Sequence, residues 1–316
     1  MNRKTKQILE KQGYAIYGDL AIQICRWTKK SLLNKGFCYK QKFYGIQSHR
    51  CCQMSPCVMN CHNRCLHCWR PIELNEGIKM KGKIMKPQEI IEKCIEMQKK
   101  MIVGFKGNAK TNIKKYSEAM FPNQFAISLS GEPTIYPYLG ELIEELKKRK
   151  ITSFLVTNGL NPDVLIKLNK KNQLPTQLYL SMIASNKNLY DKLIRSQLKD
   201  AWKKYMKTIK IFPKLKTRKV IRITLIKDLN MSDELLKEYA KIIKISKPDF
   251  IEVKSFMSVG FSRQRLGYEK MPVHKEIKDF SKKLAKLTGL KILNEKKESR
   301  VVLLGKSKKN IKIKKI

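Results

Sequence analysis

Three cysteines, Cys61, Cys65 and Cys68, follow one another with the spacing C-x3-C-x2-C. A loop this compact can surround one metal centre with three thiolates. An iron–sulfur cluster with a complete protein shell takes four cysteines, so three would leave one iron open to a ligand that is not protein. An open coordination position distinguishes a reacting metal site from a structural one, a rule best documented for zinc. The spacing therefore points to a metal centre that could take part in chemistry.

A structural zinc site is the alternative interpretation of the same loop. Two histidines lie inside the loop, His62 and His67, and three further cysteines precede it, Cys51, Cys52 and Cys57. Any of these side chains could complete a closed tetrahedral site around a single zinc ion. The loop by itself leaves both kinds of metal centre open.

The chain is strongly basic. Its 316 residues include 68 Lys and Arg against 26 Asp and Glu, which gives a formal net charge of +42. Such a charge disfavours a lone compact state and suits a polyanionic partner, which releases bound counterions on association. A Lys-rich proteome or a thermophile surface is the alternative, but thermophile surfaces usually gain Glu along with Lys. The composition thus favours a nucleic-acid-binding protein.

Neither a membrane span nor a secretory signal is expected. The sequence has no apolar stretch of about 18 residues, and residues 1–10 are charged and lack the apolar core of a signal peptide. Nine cysteines in such a chain predict a reducing compartment, the cytoplasm, where cysteines serve as metal ligands more often than as disulfides.

The elements that position these cysteines are predicted to be alternating strands and helices. Residues 5–12 and 17–33 are predicted helices, and a short strand leads into the cysteine loop. The later predicted strands are 125–130, 151–156, 177–181, 220–226 and 250–256, followed by a hairpin at 290–304. Amphipathic helices separate these strands, and the repeat predicts a parallel sheet with crossover helices.

The fold class that follows is α/β, a partial TIM-like (β/α)6 barrel with an N-terminal helical extension and a basic C-terminal hairpin and tail. We assign residues 1–52 to the extension, 53–260 to the barrel core, and 261–316 to the C-terminal helix, hairpin and tail. All three segments are expected to form one integrated domain.

Glycine and polar residues fall at the ends of the predicted strands, where such folds bind their ligands. The turns at Gly131-Glu132 and Thr157-Asn158 are each ordinary alone, but both are predicted to face the cysteine loop, which a zinc ribbon does not explain. Glycine lets a ligand approach the backbone closely, and a carboxylate can accept from a cationic amine. The residues concerned are Gly131, Glu132, Thr157, Asn158, Ser181 and Arg222.

The cysteine loop, Ser130-Gly131-Glu132-Pro133 and Thr157-Asn158-Gly159 together resemble the radical S-adenosylmethionine (SAM) superfamily. The resemblance implies a [4Fe–4S] cluster on Cys61, Cys65 and Cys68, whose open iron binds SAM. Reductive cleavage of SAM would give a 5′-deoxyadenosyl radical that abstracts hydrogen. It also implies that Gly131 and Glu132 hold the methionine amine of SAM, with Thr157, Asn158, Ser181 and Arg222 as further SAM contacts.

A finer resemblance extends to the N-terminal residues. Cys25, Cys38 and Cys51 are spaced thirteen and thirteen apart. This register, together with Gln53-Met54-Ser55-Pro56, Cys68-Trp69-Arg70-Pro71 and the segment 253–260, resembles the archaeal 4-demethylwyosine synthase family. That family implies a second [4Fe–4S] cluster on Cys25, Cys38 and Cys51. It implies that pyruvate is joined to N1-methylguanosine beside the anticodon of phenylalanine tRNA. It also implies a Schiff-base lysine two residues after the middle cysteine, which is Lys40.

Several alternatives remain at this point. Lys42 competes with Lys40, and composition cannot choose between them. The Lys-rich stretches 98–116 and 203–219 are expected to bind tRNA, with Tyr205 and Phe212 among the stacking residues. A flavodoxin-like phosphate loop is absent, so an external electron donor such as a flavodoxin or ferredoxin is expected, and the protein is expected to be a monomer. A radical SAM enzyme with a peptide or small-molecule substrate, or a zinc-stabilised RNA-binding module, are the other functions considered.

Overall fold

One ten-stranded sheet organises the fold. The computed structural model describes residues 1 and 3–313. The strands are β1 (Tyr14–Tyr17), β2 (Leu20–Gln23), β3 (Cys51–Ser55), β4 (Gln124–Ile127), β5 (Thr152–Thr157), β6 (Gln177–Met182), β7 (Arg218–Leu225), β8 (Phe250–Ser255), β9 (Lys291–Lys296) and β10 (Val301–Gly305). The α-helices are α1 (Arg3–Lys11), α2 (Arg26–Leu32), α3 (Tyr39–Tyr44), α4 (Pro87–Ile102), α5 (Ile113–Ala119), α6 (Leu139–Lys148), α7 (Pro162–Lys170), α8 (Lys187–Ile194), α9 (Ala201–Ile211), α10 (Asp233–Ser246) and α11 (His274–Thr288).

Six parallel strands form the centre of this sheet. Strands β3 to β8 pair with one another in chain order, and helices connect them, which confirms the predicted partial (β/α)6 barrel. β1 and β2 extend one side as antiparallel strands, and β10 and β9 extend the other. Among the described strands β1 and β9 remain edges, so the barrel is open. The predicted C-terminal hairpin is confirmed, whereas residues 314–316 of the predicted basic tail lie outside the described residues.

The N-terminal extension differs from its predicted form. The helix predicted at 17–33 is wrong in its first half, because β1 and β2 form a hairpin there and α2 begins only at Arg26. Leu20 and Ile22 pack into the main core, while Ala21 between them faces a separate cluster with Leu9. This alternation has the period of two that marks a strand, and pairing of β2 with β3 places the hairpin on the sheet.

The two faces of the barrel sheet bury different residues. Leu155, Leu178 and Ile221 pack in the large core that also contains the crossover helices. The alternate residues of the same strands, among them Phe154 and Tyr179, form a second cluster on the opposite, inner face. Successive side chains of a strand point to opposite faces, so both faces of these strands are apolar and both must be covered.

Helix α3 covers the inner face. Its Tyr39, Phe43 and Tyr44 belong to the inner cluster, and the Tyr44 ring makes an edge contact with Phe154 at a centroid distance of 6.2 Å. The helix ends at Gly45, which has the left-handed φ of 81° that favours glycine. A helix of only six residues is marginal alone, so burial of its aromatic side chains inside the barrel is what fixes it.

The C-terminal segment lies against α3 at the N-terminal ends of the strands. The guanidinium of Arg218, the first residue of β7, donates to the carbonyls of Asn310 and Ile311. The backbone N–H of Ile313 donates to the carbonyl of Tyr44 at 2.9 Å. This segment therefore closes the barrel end behind α3.

Candidate metal centres and active site

The cysteine loop encloses a cavity of about 170 Å³ directly after β3. Cys61, Cys65 and Cys68 all line it, and Gly131 from the end of β4 lines the facing wall. Burial, followed by the charge of Glu132, raises the pKa of the Cys61 thiol to about 12. Burial, followed by Cys68 and Cys61, also raises the pKa of Cys65. Three partly buried thiols around one cavity fit a cluster, because iron binding removes their protons and supplies positive charge.

Gly131 is required for this geometry. Its φ is +67°, and a Cβ atom at this position would lie 2.0 Å from the Cys57 carbonyl oxygen and 2.7 Å from that of Asn60. Only glycine tolerates both the left-handed backbone and the close approach. The strand end predicted to contact SAM is thus held against the chain that enters the cysteine loop.

Glu132 is a buried carboxylate that organises the neighbouring strand ends. Its Oε1 accepts from the hydroxyls of Thr134 and Thr157, each at 2.6 Å, and its Oε2 accepts from the backbone N–H of Asn158 at 2.7 Å. The Asn158 Nδ2 atom lies 3.9 Å from the Cys61 Sγ atom. The structure therefore brings four of the predicted SAM contacts, Gly131, Glu132, Thr157 and Asn158, beside the loop.

Arg265, which follows β8 in the chain, holds the cysteine loop in place by hydrogen bonds. Its guanidinium donates to the carbonyls of Leu66, Cys68 and Arg70 and forms an ion pair with Glu73. These bonds satisfy carbonyls of an otherwise irregular loop. No signal in the sequence pointed to Arg265, since its partners lie almost 200 positions earlier in the chain.

A second group of cysteines forms at the N-terminal side of the barrel. Cys25 precedes α2, Cys38 caps α3, and Cys51 begins β3. Burial, followed by the neighbouring Cys25, raises the pKa of the Cys38 thiol to about 11, while Lys40 opposes the rise. Burial also raises the pKa of Cys51, with Lys40 opposing and Cys25 and Cys38 adding to it. Cys25, Cys38 and Cys51, the three predicted ligands of the second cluster, therefore lie near one another and near Lys40.

Lys40 points into the barrel from α3. Its Nζ atom lies 5.0 Å from the ring centroid of Phe154 and 4.9 Å from that of Tyr179. Burial, followed by the charge of Arg222, lowers the pKa of the Lys40 amine. Lys42, on the opposite side of α3, is exposed and donates to the carbonyl of Glu295.

A charged network surrounds Lys40 on the inner face. Arg222 donates to the Glu252 carboxylate at 2.9 Å and to the Tyr39 hydroxyl at 3.0 Å. Tyr44 donates to the other carboxylate oxygen at 2.8 Å. Burial opposes the charge of Glu252, but Arg222, Lys40 and the hydrogen bonds outweigh it and lower its pKa.

Ser181 and Arg222, the remaining predicted SAM contacts, are register neighbours on β6 and β7. Arg222 is engaged by Glu252 and by α3, on the side of the N-terminal cysteines. Ser181 uses its carbonyl to accept from Tyr205 at 3.1 Å. Arg222, in the middle of β7, thus lies on the side of α3 and Glu252, with Ser181 beside it on β6.

Lys254, on β8, is a further candidate functional residue, to which the sequence alone assigns no role. Burial, followed by Arg222, lowers the pKa of its amine to about 8. Its strand register puts it next to Thr224 and two residues from Glu252 on the same face. The period of two could have placed Glu252 and Lys254 together, but only the fold shows that their face is the inside of the barrel.

The expected stacking role of Tyr205 and Phe212 is wrong, because both rings are buried in the main core. Exposed aromatic residues occur instead at Phe121 and Tyr268, which are 64% and 58% exposed. Each is accompanied by a cation, Lys99 at 5.1 Å from the Phe121 ring and Arg263 at 5.5 Å from the Tyr268 ring.

The described residues contain no group of three His, Cys, Asp or Glu side chains that could hold a single metal ion. In the same part of the chain, no helix has the length and apolar character of a membrane span.

The open parallel barrel and the three-cysteine loop at its strand ends define a radical SAM protein. A model of the Radical SAM superfamily matches residues 56–240, and a model for wyosine base formation matches residues 245–306. A radical SAM enzyme uses SAM and a [4Fe–4S] cluster, and the cysteine cavity described above fits that cluster.

Comparison with individual proteins identifies the family within this superfamily. The chain is 43% identical to the S-adenosyl-L-methionine-dependent tRNA 4-demethylwyosine synthase of Pyrococcus abyssi, covering 96% of this chain and 89% of that protein. It is 39% identical to the synthase of Methanocaldococcus jannaschii, covering 96% of each. A solved structure of TYW1 with a lysine–pyruvate adduct bound is 37% identical and superposes with a TM-score of 0.89 over 99% of both chains. The chain belongs to the tRNA 4-demethylwyosine synthase family.

Proposed function

We propose that this enzyme joins pyruvate to N1-methylguanosine beside the anticodon of phenylalanine tRNA, and that Lys40 holds pyruvate as a Schiff base. The observation that carries the proposal is the position of the Lys40 amine inside the barrel, next to Cys38 and Cys51. The related TYW1 structure with a lysine–pyruvate adduct supports a lysine in this role.

Lys40 suits a Schiff base better than Lys42. An amine attacks a carbonyl only in its neutral form, and a lowered pKa increases the neutral fraction near pH 7. Lys42 is exposed and hydrogen-bonded to a backbone carbonyl. The Lys40 nitrogen would attack the ketone carbon of pyruvate, and water would leave as the imine forms.

The surrounding charges would orient the pyruvate. Its carboxylate needs a cation, and Lys254 lies on the same inner face with a pKa lowered to about 8 mainly by burial, then by Arg222. Arg222 is already bound to Glu252, so Lys254 is the cation more available to a substrate carboxylate. Glu252, whose pKa is lowered by Arg222 and Lys40 against the effect of burial, would stay ionised and offset the charge of the iminium.

Two groups of residues would hold the cofactors. Cys61, Cys65 and Cys68 would bind the cluster that reduces SAM, which supplies the radical that abstracts hydrogen from the N-methyl group. Gly131, Glu132, Thr157 and Asn158, together with Ser181 and Arg222 along the strand ends, would position SAM. Cys25, Cys38 and Cys51 would bind the second [4Fe–4S] cluster beside Lys40.

The basic surface would bind the tRNA. The exposed lysines of the stretches 98–116 and 203–219 suit phosphate contacts, and the exposed rings of Phe121 and Tyr268 suit stacking on unpaired bases. A separate one-electron donor, such as a flavodoxin or ferredoxin, would reduce the cluster. We propose that the enzyme is a monomer and that it acts in the cytoplasm, where tRNA occurs.

Trapping of the imine tests the proposal. The anaerobically reconstituted enzyme is incubated with pyruvate, reduced with borohydride and digested, and the adduct is located by mass spectrometry. We expect one reduced three-carbon adduct on Lys40, none in a Lys40→Ala variant, and an unchanged yield in Lys42→Ala, which removes a lysine from the same short helix. An adduct on Lys42, or one that persists in Lys40→Ala, would show that Lys40 is not the Schiff-base residue.

A further inference from the structure

Arg70 has a buried guanidinium without a hydrogen-bond partner. The residue is 5% exposed, and its Nε, Nη1 and Nη2 atoms make no hydrogen bond of good geometry among the described residues, although the Tyr14 hydroxyl and the Cys68 thiol lie close enough to interact with its charge. Its Cζ atom lies over the Trp69 ring at 3.1 Å and over the Tyr14 ring at 5.1 Å from the centroids. Arginine is almost never fully buried unless it is paired, because a buried charge costs several kcal/mol unless something compensates it. Stacking on two rings supplies part of that compensation and leaves the five N–H donors unused.

Arg70 lines the same cavity of about 170 Å³ as Cys61, Cys65 and Cys68. The other polar residues that line it, Asn63, Asn75, Ser128 and Ser130, carry no charge. An anion bound in this cavity would therefore have Arg70 as the cation among its lining residues.

The proposed cluster on Cys61, Cys65 and Cys68 would supply such an anion. A cubane core of charge +2 on three thiolates has a net charge of about −1, and it gains a further negative charge on reduction. A cation fixed at low dielectric next to it stabilises the reduced state more than the oxidised one, because the attraction grows with the negative charge. Arg70 also lies two residues after Cys68, and its charge acts on that thiol.

Arg265 does not fill the same role. All its contacts are to carbonyls of the loop and to Glu73, so its donors are used in holding the backbone. Arg64 carries a charge in the same loop but is exposed, so water and salt screen it. Arg70 differs from both in being buried with its donors free.

We propose that Arg70 is a positioning residue that directs its guanidinium at the cluster on Cys61, Cys65 and Cys68 and raises the reduction potential of that cluster. The inference rests on the cluster ligands proposed above. It concerns the ease of reduction before SAM is cleaved, and it assigns Arg70 no contact with SAM, pyruvate or tRNA.

An anaerobic redox titration of the reconstituted full-length enzyme tests the proposal. The reduced cluster whose electron paramagnetic resonance signal changes on adding SAM is followed in wild type, Arg70→Met, Arg70→Lys and the control Arg64→Met. At a fixed potential we expect Arg70→Met to lower the ratio of reduced to oxidised cluster at least about tenfold, or 59 mV for a one-electron couple. Arg70→Lys should recover most of the ratio because it retains a charge, and Arg64→Met should change it less than about twofold because its charge is screened.

The iron content of the variants distinguishes a failure of the Arg70 proposal from a failure of the proposed cluster ligands. If Arg70→Met binds the full amount of iron and its ratio of reduced to oxidised cluster is unchanged, the role of Arg70 is overturned and the proposed function stands. The ligand set is tested separately by Cys65→Ala, which should lose the SAM-sensitive signal. If Arg70→Met fails to bind iron, a measurement on the wild-type enzyme takes the place of its redox titration. Enzyme labelled with ¹⁵N in its arginines should show a nitrogen coupling to the reduced cluster that disappears in Arg70→Lys, and absence of any arginine coupling in wild type overturns the proposal.

Discussion

The two cysteine groups differ in how the chain brings their members together. Cys61, Cys65 and Cys68 come from a single loop of eight residues, and that loop is held in shape by Arg265 and by the wall at Gly131. Cys25, Cys38 and Cys51 lie at the starts of three separate elements, α2, α3 and β3. The first group is set mainly by local chain geometry, and the second exists only when the barrel has formed around α3.

Their electrostatic surroundings differ as well. The loop cavity has one charged residue with free donors, Arg70. The N-terminal group is adjacent to a network of Lys40, Arg222, Glu252 and Lys254. A site with few charges suits electron transfer to a cofactor, whereas a site with several suits capture of a small charged substrate. We therefore expect the two cysteine groups to serve different steps of the reaction, and substitutions in each group can distinguish these steps.

The largest effect is expected from removing a ligand in the loop. Cys65→Ala should lower the rate of SAM cleavage at least about 10⁴-fold, or roughly 5.5 kcal/mol of activation free energy, because no reductant would be held next to SAM. Production of 5′-deoxyadenosine measures this rate. Cys94→Ala is the matched control, since Cys94 is buried outside both groups, and it should keep the rate within about twofold. Comparable cleavage by Cys65→Ala would remove the loop from the reaction.

A smaller effect, on stability, is expected at the charged network. Glu252→Gln leaves Arg222 buried without its anion and should lower the free energy of unfolding by about 3–4 kcal/mol. Glu295→Gln, which removes a partly exposed ion pair, should cost less than about 1 kcal/mol. Anaerobic urea denaturation of both variants measures the difference. Equal costs would mean that the network does not hold α3 in place.

The same substitution should alter the acid dependence of stability. The pKa of Glu252 is lowered in the fold because Arg222, Lys40 and hydrogen bonds outweigh burial. Its stabilising contribution is therefore present above the ordinary Glu pKa of about 4.3 and is lost as pH falls through the lower folded value. We expect Glu252→Gln to lack this part of the acid dependence.

The smallest effect sharpens the comparison between the two groups. Cys38→Ala should leave SAM cleavage within about threefold of wild type, a difference of roughly 0.6 kcal/mol, because the loop does not need the N-terminal group to form. Formation of the tricyclic base should nevertheless be lost. Measuring deoxyadenosine and modified tRNA in the same reaction separates the two outcomes. A parallel loss of both products would show that the two groups act as one site.

Much of the fold and of the loop site could be predicted from sequence because their signals are local. The C-x3-C-x2-C spacing lies within one loop, and Gly131-Glu132 follows a strand that is apolar on both faces. The predicted strands after the loop agree with β4 to β10 to within a few residues. Local patterns of this kind depend on neighbours that are close in the chain.

The parts that could not be predicted depend on distant residues. The hairpin β1–β2 lies where the sequence predicts a helix, because its short alternation is outweighed by helix formers nearby, whereas in the fold pairing with β3 determines its structure. The hydrogen-bond partners of Arg222, which are Tyr39 and Glu252, come from α3 and β8, and no local pattern of the sequence pairs them. The unpaired state of Arg70 has no counterpart in the sequence at all, since burial and the absence of partners are properties of the packed molecule.

The position of α3 has a kinetic consequence. The helix and the segment 310–313 lie behind Lys40, at the N-terminal ends of the strands, whereas the cysteine loop lies at the opposite ends. A tRNA bound over the cysteine loop would cover the end of the barrel that faces away from α3. We therefore expect pyruvate to bind before the tRNA, in a compulsory order in which excess tRNA slows the first turnover.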